Sequence, residues 1–174
     1  MSEVIDIFYS YAHKDKTLRE RLETHLAQLK HEGLINLWYD RDIPAGKLWE
    51  EEIDAHLKNA RIILLLVSPY FLASKYCYGI EMQEAIQRQV AGEARVIPII
   101  LRPCDWETAP FGKLQALPTD AKPVTMWSNR DAAFTDIAKG IRTVVHELNG
   151  DIPITTSRIT PKRNKNTKTW KTVG

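Results

Sequence analysis

Cysteine is scarce in this chain. Cys77 and Cys104 are the only two in 174 residues, too few for a disulfide framework and without metal-ligand spacing. That usage reads as a cytoplasmic protein with free thiols. The five histidines (His13, His25, His31, His56, His146) are scattered, with no zinc-site spacing, and no metal is expected. No apolar run approaches the ~20 residues that a membrane-spanning helix requires. The N-terminus carries Glu3 and Asp6 where a signal peptide would have a basic start and a long apolar stretch. Phosphate-cradling glycine loops are missing, both G-x-G-x-x-G and G-x-x-x-x-G-K-[ST], which removes dehydrogenase and P-loop readings. The G-x-S-x-G turn of a Ser-His-Asp hydrolase is absent too. No internal repeat is found.

What is present divides into two parts. The net charge of +2 is carried by residues 150–174, which hold six Lys and Arg (Arg158, Lys162, Arg163, Lys165, Lys168, Lys171) against Asp151. Residues 1–149 keep 18 basic and 21 acidic side chains, a net of −3. The expected organisation is a folded domain at 1–149 followed by a basic flexible linker or tail at 150–174 that could lead into a further domain. A nucleic-acid-binding tail would interleave aromatic residues with its charges, and here Trp170 stands by itself.

Within the folded part, five short apolar runs alternate with amphipathic segments. The runs fall at 4–9, 35–39, 62–67, 96–101 and 124–127. Residues 62–67 are continuously apolar, as suits a strand covered on both faces. Leu18, Leu22, Leu26 and Leu29 share one face of a first helix, and Trp49, Ile53 and Leu57 do so in a second. Ser68-Pro69 predicts a helix start that runs on past Glu81. Ser128-x-x-Asp131 predicts a capping box ahead of a last helix bearing Phe134, Ile137, Ile141, Val145 and Leu148. Four prolines between residues 102 and 123 allow only a short or irregular helix there. This alternation implies an α/β fold, a flavodoxin-like five-stranded parallel sheet with helices on both faces. The phosphate-accepting receiver variant of that fold needs an aspartate ending the third strand, where Val67-Ser68 stand.

Ligands of open parallel sheets bind beyond the carboxyl ends of the strands. Three segments follow the first three strands on that rim: Ser10-Tyr11, the loop at 40–47 and the stretch from Ser68 to Glu81. Cys77, Glu81, Glu84 and Arg88 share one helix face. Arg88 lies four residues after Glu84 as an ion-pair partner, whereas Glu81 has Ala85 at that spacing. A glutamate on a helix is ordinarily a solvated residue, and a proline-glycine loop such as 40–47 is ordinarily a turn. Trp49 begins an apolar stripe and is ordinarily core.

Phe8-Tyr9-Ser10-Tyr11, the loop Asp40-Arg41-Asp42-Ile43-Pro44-Ala45-Gly46-Lys47, and the order Ser68, Tyr70, Ser74, Tyr76-Cys77-Tyr78, Glu81 together resemble a TIR domain, the Toll/interleukin-receptor type, of the bacterial NAD⁺-cleaving kind. The resemblance spans residues 4–148. It implies that Glu81 is the catalytic residue and that Ser10, Tyr11, Arg41, Asp42, Ile43, Trp49 and Cys77 contact substrate. The loop at 40–47 would be a flap closing over the ligand and touching a neighbouring subunit. Many enzymatic members carry tryptophan four residues before the glutamate. Cys77 stands there in this chain, flanked by Tyr76 and Tyr78, either of which is placed to supply an aromatic wall. The implied activity is an NAD⁺ nucleosidase, a hydrolase or cyclase that uses NAD⁺ as substrate without a cofactor. The implied partners are other TIR domains, through homo-oligomerisation in bacterial immune signalling. A non-enzymatic TIR–TIR adaptor or host-mimicking effector is the alternative that the same resemblance allows.

Overall fold

A computed structural model of the chain describes residues 3–38, 45, 46 and 48–150, with the side chain of Trp49 excepted. The fold is organised by its third strand. Ile62-Ile63-Leu64-Leu65-Leu66-Val67 has every residue buried, and because side chains alternate across a strand this run builds two cores at once. Ile62, Leu64 and Leu66 face a core shared with Leu18, Leu22, Leu26 and Leu29 and with Phe134, Ile137, Ile141 and Val145. Ile63, Leu65 and Val67 face a second core with Ile53, Leu57, Phe71, Met82 and Ala85.

Four parallel strands form the sheet among the described residues: β1 (Ile5–Ser10), β2 (Ile35–Trp38), β3 (Ile62–Val67) and β4 (Arg95–Ile100). They lie in the order β2-β1-β3-β4. Helices α1 (Lys16–His25) and α2 (Ala27–His31) connect β1 to β2. Helix α3 (Trp49–Asn59) precedes β3. Helices α4 (Pro69–Ala73) and α5 (Met82–Val90) connect β3 to β4, and α6 (Arg130–Leu148) closes the domain. The flavodoxin-like architecture is therefore as the alternation implied, with four strands in place of five. The fifth apolar run folds instead into a single 3₁₀ turn, Val124–Met126. Pro123 has no N–H to give a ladder, and the run makes one backbone bond toward the sheet, from Thr125 N–H to the Leu101 carbonyl at 3.1 Å.

Three local expectations shift. The first leucine stripe spans two short helices that break at Leu26. The cap of α6 is Asn129, whose Oδ1 accepts the Ala132 N–H at 3.1 Å; Ser128 lies one residue outside it, and Asp131 turns to Arg21 and His25 instead. The prolines between β4 and α6 leave room for one other 3₁₀ turn, Thr119–Ala121. Among the described residues no helix is long and apolar enough to cross a membrane.

Arg88 does not pair with Glu84. Its guanidinium is buried and donates to the carbonyls of Leu57 (2.7 Å), Ala60 (2.5 Å) and Glu93 (3.1 Å). It thus satisfies the buried carbonyls at the C-terminal end of α3 and ties it to the end of α5. Arg88→Ala leaves those carbonyls buried without a donor, so a loss of about 2–4 kcal/mol is expected in urea unfolding. A change under about 0.5 kcal/mol, the range of a surface substitution, would show that the tie is dispensable.

Candidate active site

β1 pairs with β2 on one side and with β3 on the other. The chain therefore leaves the sheet in opposite directions around the carboxyl end of β1, and a crevice opens there. The residues at that point are Ser10, the last of β1, and Ser68, which follows β3 directly.

Ser68 caps α4, its Oγ accepting the Phe71 N–H at 3.1 Å, with Pro69 at the first helical position. The helix then stops, contrary to the continuous segment expected. Ser74 caps a new start by accepting the Cys77 N–H at 3.1 Å, and Lys75–Glu81 follows as a wide π-helical turn. Its last bond runs from Met82 N–H to the Cys77 carbonyl, five residues back. Inserted turns of this kind re-aim side chains and recur at functional sites. Here the turn carries Glu81 inward.

Glu81 is 5% exposed and accepts a hydrogen bond from Ser10 Oγ at 2.6 Å, with Ser10 fully buried. This is a carboxylate set in the fold, not the solvated helix residue that its spacing suggested. Beside it, Cys77 Sγ donates to the Tyr11 carbonyl at 3.3 Å, which fastens the π turn to the β1–α1 loop.

These groups border a cavity of about 490 Å³, within the ordinary range for small-ligand sites. Tyr11, Cys77 and Glu81 line it, as do Phe8, Trp38 and Tyr76. Ser10 does not line it and reaches it through its bond to Glu81. Of the two tyrosines flanking Cys77, Tyr76 lines the cavity. Arg41, Asp42 and Ile43 lie outside the described residues, as does the Trp49 side chain.

Sequence reasoning passed over several wall residues. Trp38 ends β2 and so reaches the same rim; it stacks on Phe8 (5.6 Å between ring centroids) and on His56 (4.0 Å). His13, Lys14 and Tyr70 also line the cavity. The signal for all four was their place just at or beyond a strand's carboxyl end.

A second buried carboxylate braces the rim. Asp15 is fully buried; Ser68 Oγ donates to its Oδ2, and Arg102 Nε donates to its Oδ1 at 2.8 Å. One side chain thereby joins the loops that follow β1, β3 and β4.

Two groups of the wall, Cys77 and Tyr76, are pushed toward their protonated forms. Burial, and then the charge of Glu81, pushes the Cys77 thiol up to about 11. The same two causes push Tyr76 up to about 12. Cys104 rises to about 11 through burial and then Asp105. A thiolate nucleophile is thus scarce at neutral pH, and the acidic side chain in the wall is Glu81. Among the described residues no three His, Cys, Asp or Glu side chains are placed to share a metal ion.

The thiol shifts carry a pH prediction. A folded-state value raised above the unfolded one holds its full stabilisation below the unfolded value and loses it as pH rises through the folded one. Stability should therefore fall between about pH 9 and pH 11. At pH 8 only about one thiol in a thousand is ionised at such values, so Ellman's reagent should label the native chain slowly and the urea-unfolded chain at once. A native thiol reacting as fast as an unfolded one contradicts the assignment.

Comparison with known proteins bears on this geometry. Residues 7–138 match the family model described as TIR domain. The uncharacterized protein y4lF of Sinorhizobium fredii (strain NBRC 101917 / NGR234) is 54% identical over 136 residues, which are 78% of this chain and 42% of that protein. The chain thus spans about two-fifths of the length of that curated relative. The crystal structure of the TIR domain of the Toll-related Receptor TRR-2 from Hydra magnipapillata superposes with a TM-score of 0.55 at 21% identity, over 80% of this chain and 99% of that one; at that identity the likeness is one of fold. The family match covers well over half of the residues, among them Ser10, Ser68 and Glu81 at the switch-point crevice: this chain belongs to the TIR domain family.

Proposed function

We propose that this TIR domain cleaves the nicotinamide–ribosyl bond of NAD⁺, with Glu81 as the catalytic residue. The observation that carries the reading is a buried carboxylate, oriented by Ser10 at 2.6 Å, in the wall of a ligand-sized cavity at the sheet's switch point. Fixed charge of that kind, screened from water, stabilises opposite charge as it develops in a reaction.

The substrate's chemistry suits one carboxylate. The nicotinamide of NAD⁺ is already cationic and departs neutral, so its departure needs no general acid. A glycosidase with a poor leaving group needs a pair of carboxyl groups; this reaction does not. As the C1′–N bond lengthens, positive charge grows on the ribose as an oxocarbenium-like species. Glu81 faces that charge and stabilises it most where it is greatest, or else bonds to C1′ as a transient glycosyl-enzyme. Water adding to C1′ gives ADP-ribose and a proton. Capture by the adenine or a ribose oxygen of the same molecule gives a cyclic ADP-ribose isomer, favoured as the pocket excludes water.

NAD⁺ is the substrate and no cofactor takes part. Self-association with further TIR domains is the expected activator, and the role cytoplasmic signalling in bacterial immunity. The bacterial source of y4lF and the greater length of that protein, of which this chain matches 42%, support a signalling module joined to other parts.

Wild type at high concentration, clustered on beads, should deplete NAD⁺ as followed by chromatography. Glu81→Gln preserves shape and should lower the rate at least about a hundredfold. Ser10→Ala leaves the carboxylate in place but less well oriented, so a smaller loss, about tenfold, is expected. Undiminished turnover in Glu81→Gln would assign catalysis to another group. No turnover by the clustered wild type would favour the non-enzymatic TIR–TIR adaptor.

A further inference from the structure

The cavity differs chemically from one side of Glu81 to the other. On the β2 side stand Phe8 and Trp38, which stack on each other, with His56 stacked on Trp38 outside the lining. On the β4 side lie His13 and Lys14, in the turn after β1, with Tyr70 after β3. The Lys14 ammonium sits over the Tyr70 ring, 5.1 Å from its centroid, and Arg102, which follows β4, approaches the same ring at 5.6 Å. Arg102 is neutralised by Asp15. Lys14 has no carboxylate partner among the described residues, so its charge faces the cavity uncompensated.

We propose that Lys14, with His13 beside it, is the subsite for the diphosphate of a dinucleotide substrate. The inference rests on the reading of Glu81 as the group at C1′. In NAD⁺ the diphosphate is joined through the C5′ methylene to the same ribose whose C1′ bears nicotinamide. A substrate held with C1′ at Glu81 therefore carries its negative charges only a few bonds away. Those charges must be met by a cation or left in water, away from the wall. Lys14 supplies the cation as a point charge on a flexible stem, and the Tyr70 ring holds the ammonium at the rim by cation–π attraction. The aromatic side chains on the β2 side are left for the planar, cationic nicotinamide, which an aromatic wall attracts. Lys14 thereby sets specificity: it rewards a dinucleotide and contributes nothing to nicotinamide riboside, which has the same scissile bond and no phosphate.

Binding and turnover are measured separately. Calorimetry follows ADP-ribose binding to wild type, Lys14→Gln, Lys14→Arg and Lys122→Gln, the last removing an equal charge from beside Trp127. Initial rates are then taken with NAD⁺ and with nicotinamide riboside on clustered protein. Lys14→Gln should weaken ADP-ribose binding about five- to tenfold and raise KM for NAD⁺ by a like factor, with kcat within about twofold. Its cleavage of nicotinamide riboside should stay within about twofold of wild type, Lys14→Arg should restore binding, and Lys122→Gln should behave as wild type. Unchanged ADP-ribose binding in Lys14→Gln overturns the subsite, as does an equal loss with both substrates or no ADP-ribose binding by wild type. If wild type binds ADP-ribose through Lys14 yet cleaves no NAD⁺, the subsite stands and the catalytic reading falls. NAD⁺ cleavage indifferent to Lys14 overturns the subsite and leaves the catalytic reading standing.

Discussion

A carboxylate at 5% exposure is expensive to keep, because its charge has given up water. The hydrogen bond from Ser10 to Glu81, 2.6 Å long, offsets part of that cost, and much of the architecture exists to make it possible. Ser10 is the last residue of β1 and Glu81 ends a π turn that follows β3. The two can meet only if β1 and β3 are neighbours in register. That pairing, with Ile7 opposite Ile62 and Ser10 opposite Leu65, depends on the burial of β3 on both faces. Hydrophobic burial thus sets the strand register, and the register sets one polar contact.

The rest of the rim is held by polar ties of the same kind. Asp15 joins the loops after β1, β3 and β4 through Ser68 and Arg102. Cys77 fastens the π turn to the Tyr11 carbonyl. Loops with little apolar surface cannot be fixed by packing, and buried charge-assisted hydrogen bonds are strong enough to do it. A site so fixed holds its charges in place before a ligand arrives, which is what electrostatic catalysis requires.

Much of the fold was legible in the sequence because it follows from local pattern. The run at 62–67 is apolar at every position, and Leu18, Leu22, Leu26 and Leu29 repeat at helical spacing. The run at 124–127 misled because apolar content alone cannot separate a strand from a buried turn. The site was legible in part. Strand ends placed Ser10 and the Ser68–Glu81 stretch on one rim, but the choice of Glu81 came from family likeness. Nothing in its spacing announced that a π turn would bury it, since such a turn depends on Ser74 recapping the chain. Asp15, Lys14 and Trp38 escaped notice because their roles depend on contacts between loops distant in sequence.

The central claim is geometric: Glu81 faces the ribose carbon from which nicotinamide departs. A crystal structure of the wild-type chain with a carba analogue of NAD⁺, in which a methylene replaces the ribose ring oxygen and blocks cleavage, tests it directly. The account predicts C1′ within about 3–4 Å of a Glu81 carboxylate oxygen, the separation of a reaction-ready contact, in the cavity that Tyr11, Tyr76 and Cys77 line. An analogue bound with its ribose away from Glu81, or outside that cavity, would contradict it.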